Sequence, residues 1–243
     1  MTTTPLPPYA TLLTPLEVLP ATPKSLEALL VSGDTGPAAQ ESMRWSPSRW
    51  AERFESLRGI DAFLRDLSSE PLDRASVGRH VTESQERGRT DLAFVAAMAW
   101  GYGPAGYGPY RTARVLLAAD GDGPNGHVLD RLRTATLVAH EHGAVAGYYT
   151  LNNQPGRVRF LGPAFFTKWL YFTTAVVGPD DSGAVPILDL RVRNWIAENG
   201  GVHLRLDKTR DYARYLQLLD GWGTLPDRKF SRATVERAIF ALS

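Results

Sequence analysis

The sequence predicts an all-α fold. Apolar residues recur at helical spacing through most of residues 41–243, and several of those runs begin behind Ser, Thr or Asp residues suited to cap a helix. Few stretches alternate as a half-buried strand does; Val202 to Leu206 is the best of them. No internal repeat or coiled-coil heptad run competes with this reading.

Residues 1–40 read as a Pro-rich N-terminal arm and loop. Pro5, Pro7, Pro8, Pro15, Pro20 and Pro23 block helix and favour extended chain, with Leu12, Leu13, Leu16 and Val18 available to dock on the body. Gly33 to Gln40 continues as loop. Ser46-Pro47 then pairs a cap with proline at a first helical position and opens Trp50 to Leu57. Short helices follow at Asp61 to Leu67 and Asp73 to Arg87. Thr90 is a candidate cap for the apolar Asp91 to Trp100. A Gly/Tyr-rich loop spans Gly101 to Tyr110, before a helix at Arg111 to Ala119 and a turn cluster at Asp120 to Gly126. Val128 to His142, Ala144 to Leu151, Thr167 to Val176 and Leu190 to Glu198 are helical. Thr209 and Ser231 are placed to cap Arg210 to Leu219 and Arg232 to Leu242.

The chain has 243 residues, 43% of them hydrophobic, enough for one sizeable core or two helical lobes sharing a cleft. The formal charge of +1 excludes a histone-like or polybasic protein, but it conceals a bias. Residues 1–150 carry 14 basic and 17 acidic side chains, whereas 151–243 carry 13 basic and 9 acidic. With no cysteine, disulfides, thiolate zinc sites, Cys-ligated clusters and a thiol nucleophile are all excluded. Met1 to Pro20 lacks a signal-peptide pattern and no apolar run is long enough to span a bilayer, so a cytoplasmic protein without membrane contact is expected.

The chemistry concentrates in Leu161-Gly162-Pro163-Ala164-Phe165-Phe166-Thr167-Lys168-Trp169-Leu170-Tyr171-Phe172. A helix precedes this segment, Gly and Pro turn the chain, and an apolar helix follows, which is a helix–hairpin–helix at about 144–177. Amides of Gly162, Ala164, Phe166 and Thr167 at the start of the second helix suit a DNA phosphate. Lys168 reads as lying in that helix's first turn, where the dipole and the aromatic neighbours both favour an uncharged amine able to attack carbon. Downstream, the apolar run Pro186-Ile187-Leu188 delivers Asp189 to the start of another helix, where it can face Lys168 across a cleft.

The order hairpin, Thr-Lys, apolar helix, then apolar-Asp at a helix start resembles the helix–hairpin–helix DNA glycosylases. Residues 161–196 resemble most closely the bacterial proteins with the 8-oxoguanine DNA glycosylase fold. The resemblance implies a two-lobed helical fold, base excision from double-stranded DNA, Lys168 as the nucleophile on C1′ with possible strand nicking, and Asp189 as its assistant. It implies no cofactor and no metal, and a single copy acting on a damaged or modified base, 8-oxoguanine by default, in repair or in defence against phage. The family hairpin reads apolar-Pro-Gly-apolar-Gly; here Phe165-Phe166 stands in the region of the second glycine.

In that resemblance the Gly/Tyr-rich segment falls where these enzymes wedge into the duplex. Trp100, Tyr102, Tyr107 and Tyr110 are then candidates for wedge or base pocket, with Arg111 and Arg114 on phosphates or the orphan base. Arg157 and Arg159 before the hairpin, and Arg191 and Arg193 after Asp189, are candidate backbone contacts. Trp222, Tyr212, Tyr215 and Gln217 lie on or after the C-terminal helix that helps form the base pocket in the family. Other motifs fail: His140-Glu141-His142 lacks the i, i+4 spacing of a zinc helix, and the Asp120-Gly121-Asp122-Gly123 loop has Arg131 where a calcium loop needs Glu. A non-catalytic DNA-binding module, or a helical interaction protein of a defence system, fits the helical pattern too, but neither needs a Lys–Asp pair.

Overall fold

The computed structural model describes residues 18–33, 42–119 and 123–243. Most of the expected arm, the loop at 34–41, and Asp120 to Asp122 of the turn cluster lie outside the described residues. The rest is helical: α1 (Lys24–Ser32), α2 (Pro47–Arg53), α3 (Ile60–Leu67), α4 (Arg74–Glu86), α5 (Thr90–Tyr102) and α6 (Gly108–Leu116) are followed by α7 (Gly126–His142), α8 (Ala144–Asn152) and α9 (Pro163–Thr174). Then come α10 (Leu190–Gly200), α11 (Thr209–Trp222), a two-residue hairpin of β1 (Thr224–Leu225) and β2 (Arg228–Lys229), and α12 (Arg232–Leu242).

Several boundaries differ from the expectation for local reasons. Within the expected arm, α1 forms directly after Pro23, with Leu26 and Leu30 fully buried where α1 packs on α12. Val202 to Leu206 forms no strand; the Arg205 amide donates to the Asp211 carboxylate instead of to a neighbouring chain. Thr90 does not cap α5. Its hydroxyl accepts from Arg133, and Arg89, the actual N-cap residue, forms a bidentate pair with Asp91. Asp73 does cap α4, in a capping box closed by Ser76.

The helix α5 is the centre of the molecule: every residue from Thr90 to Trp100 is buried. It packs on α4, α6, α7 and α9, while α1, α10 and α11 gather around α12. One continuous buried cluster joins these groups. Inside it lies an ion pair, Arg74 to Glu236, bidentate at 2.7 and 2.9 Å, with neither side chain more than 3% exposed. The guanidinium stands over the rings of Trp100 and Tyr171. Burial alone would lower its basicity; Glu236 more than reverses this and holds Arg74 charged.

Candidate active site

Two helices deliver the central pair. Lys168 lies in the second turn of α9, one turn deeper than expected, because the helix starts at Pro163 with Gly162 as its N-cap residue. The dipole therefore weighs on the lysine less than a first-turn position would require. Its Nζ donates to Asp189 Oδ2 at 2.9 Å and to the Ala164 carbonyl at 3.0 Å. The side chains of Lys168 and Asp189 are 7% and 14% exposed, so the pair sits at the rim of the core.

Asp189 has two tasks. Its Oδ1 accepts from the Arg191 and Val192 amides and caps α10, which leaves Oδ2 for the lysine. Burial pushes the carboxyl pKa up, but the Lys168 charge and hydrogen bond, with the two amides, outweigh it and hold the group below its ordinary value.

The chain reaching Asp189 runs extended through buried residues 184–188 without a sheet partner. Its polar backbone groups are met by hydroxyls from both sides. From α9, Thr174 Oγ1 accepts from the Val185 amide at 2.8 Å and Thr167 Oγ1 from the Leu188 amide at 3.3 Å. From α11, Tyr212 donates to the Pro186 carbonyl and Tyr215 to the Ile187 carbonyl, each at 2.8 Å. These four bonds fix the backbone ahead of the carboxylate. Spacing along the chain does not reveal them.

An aromatic cover closes over the amine. Phe165 has its ring centroid 5.5 Å from Lys168 Nζ, and Tyr102 stacks on Phe165 at 4.1 Å with planes 25° apart. Tyr107 meets Tyr102 edge-on. Two glycines make room. A Cβ on Gly101 would lie 2.8 Å from Lys168 Cδ, and one on Gly108 would lie 2.7 Å from Tyr102 Cβ. Burial raises the Tyr102 hydroxyl to about 12, with Arg111 opposing and Tyr107 adding, so it stays protonated.

A protein-family profile described as "Putative 8-oxoguanine DNA glycosylase OGG-like protein" matches residues 36–240. The chain belongs to this family. No curated protein and no solved structure matches it. Membership makes the all-α fold a glycosylase fold and DNA the substrate the family implies. Among the described residues no helix is long and apolar enough to cross a membrane, and no cluster of His, Cys, Asp and Glu could hold a metal.

The OGG-like hairpin is built more loosely than its sequence suggests. Residues 153–162 join α8 to α9, and the Phe166 amide is spent on the Gly162 carbonyl. Phe166 itself is 1% exposed and packs on Tyr148, and Thr167 is wholly buried, so neither side chain faces DNA. Gly162 and Ala164 keep amides that reach no described acceptor. Of the expected ring residues, Trp100 and Trp222 are core. Trp100 packs on Phe172, and Trp222 lies against Trp195 and Gly200 with its Nε1 donating to the Pro20 carbonyl. Tyr107 and Tyr110 are exposed, at 57% and 51%. Arg111 stands over Tyr107, while Arg157 and Arg159 are exposed. Arg191 instead clasps the end of α12 through Ser243 and the Phe240 carbonyl and ring, and Arg193 bonds Asn194.

Proposed function

We propose that this OGG-like glycosylase excises a modified base through Lys168, with Asp189 as proton acceptor and charge stabiliser. The observation that carries the reading is the 2.9 Å Lys168–Asp189 contact at the rim of the core. A lysine paired only for stability needs no aromatic cover, no glycine slot and no approach to its acid pinned by four hydroxyl bonds. In the reaction, Asp189 takes a proton from the ammonium. The freed Nζ lone pair attacks C1′ of an extruded nucleotide, and the glycosidic bond breaks with its electrons leaving on the base, which takes up a proton. Ring opening, with a proton passing from Nζ to O4′, gives the C1′=N iminium. Loss of a C2′ proton then expels the 3′ phosphate. Asp189 hands its proton on to the departing base, and the carboxylate, ionised again, offsets the positive charge of the iminium.

The Gly162 and Ala164 amides, at the positive end of α9, suit a phosphate beside the extruded nucleotide, with Arg157, Arg159 and Arg111 along the backbone. Tyr102 covers the face of Phe165, and it moves to admit the base. Oxidised guanine, the base named in the family's description, is the first substrate to test; phage-modified bases are the second. One copy of the chain holds every group the scheme uses.

Borohydride reduction tests the lysine step. Wild-type protein is expected to become covalently bound to duplex carrying its base and to abasic DNA, and Lys168→Gln to lose both products. Base release without any trapped product refutes the lysine nucleophile and favours direct attack by water.

A further inference from the structure

Away from the amine, arginines and aromatic rings alternate across three segments of the surface. Arg53 of α2 stands over Tyr110 of α6 at 5.1 Å; Arg114 lies 5.7 Å from the same ring and 3.9 Å from Phe160; and Arg159 lies 4.5 Å from the Phe160 ring. Tyr110 and Phe160 remain 51% and 50% exposed. Among the described residues no carboxylate pairs with Arg53, Arg114 or Arg159. The groove beside Tyr110 is a 460 Å³ hollow lined by Arg49, Glu52, Arg53, Gly106 and Pro109, so two arginines face one acid there.

Phe160 adds an observation of a different kind. It is the one described non-glycine residue with positive φ, at 67°. A bulky side chain rarely adopts this conformation, and glycine adopts it freely. A ring kept exposed at that position, beside two guanidinium groups without a carboxylate partner among the described residues, does not repay its strain through burial in the core.

We infer that this ladder binds unpaired nucleotides of the DNA, with bases stacked on Tyr110 and Phe160 and phosphates on the arginines. A closed duplex offers phosphates and base edges but keeps its base faces covered. Half-exposed rings beside cations match a strand whose bases are open. Tyr107 with Arg111 over it, at 5.1 Å, extends the same pattern toward Tyr102. The inference takes DNA from the family and is independent of the lysine chemistry.

Fluorescence anisotropy with labelled dT16 and with a 16-base-pair duplex tests it. Wild type is expected to bind dT16 with affinity that falls steeply as salt rises. Phe160→Gly and Arg114→Ala should each weaken dT16 binding at least fivefold more than duplex binding. Phe160→Gly should also keep a thermal midpoint at or above wild type, which a packing role for the ring would not allow. Failure of wild type to bind dT16, equal losses on both probes, or a lower midpoint for Phe160→Gly overturns the inference. A protein that is trapped on abasic DNA yet ignores dT16 overturns the ladder alone and leaves the lysine scheme standing.

Discussion

Gly101→Ala separates placement of the amine from stability of the fold. The added methyl would sit 2.8 Å from Lys168 Cδ and 3.6 Å from both Lys168 Cε and a Phe165 ring carbon. Carbon atoms pack best at about 3.5–4.0 Å, so Cδ must retreat by roughly 0.7 Å. Passed on to Nζ, such a shift stretches the 2.9 Å bond to Asp189 toward the outer limit of a hydrogen bond. Misplacing a reacting group by about 1 Å costs roughly a hundredfold in rate, so trapping should slow about tenfold to a hundredfold. Stability should change little. Gly101 is the next-to-last residue of α5, so alanine gains at most about 0.8–1.0 kcal/mol of helix propensity, set against the cost of moving the Lys168 side chain. Single-turnover trapping on abasic DNA and thermal unfolding measure the two quantities. Trapping at the wild-type rate in a stably folded variant would show that the lysine's position is immaterial and would refute the mechanism.

Acid titration probes the carboxylate. The Asp189 pKa is depressed in the folded state, so its stabilising contribution is full above the unfolded value of about 3.9 and is lost as pH falls through the folded value. Wild type should accordingly exceed Asp189→Asn in stability at neutral pH, with the gap narrowing below about pH 4; a gap that widens in acid contradicts the ion pair. Thr167→Val orphans the buried Leu188 amide and should cost about 1–3 kcal/mol in urea unfolding, with slower excision as Asp189 loses its support. Glu236→Gln breaks the buried pair with Arg74 and should cost about 3–5 kcal/mol by the same assay.

The pairing of Lys168 with Asp189 is legible in the sequence because hairpin, lysine and capped helix occur in a fixed order, and an Asp before a helix declares its position through its own cap. Trp100 and Trp222 are not legible as core. Helical spacing tells which residues share a face, but not whether that face meets a neighbouring helix or open solvent. The helix α1 is hidden by prolines on its N-terminal side, although Pro23 stands where a helix can begin. Thr167 and Tyr215 carry no local sign of their role, since their partners at Leu188 and Ile187 are distant in the chain. Phe160 is invisible for another reason: only the backbone angle distinguishes it from any other surface ring.

The solitary extended run at 184–188 has a consequence for how tightly this enzyme can be built. A neighbouring strand would satisfy the same amides and carbonyls, but each added strand widens a layer by about 4.8 Å. Threonine and tyrosine hydroxyls do the job within the thickness of a single chain, so α9 and α11 close directly upon it. A proton acceptor carried at the end of this run thus comes within hydrogen-bonding distance, 2.9 Å, of a donor on the helix, and widening the gap by one strand would put them out of reach.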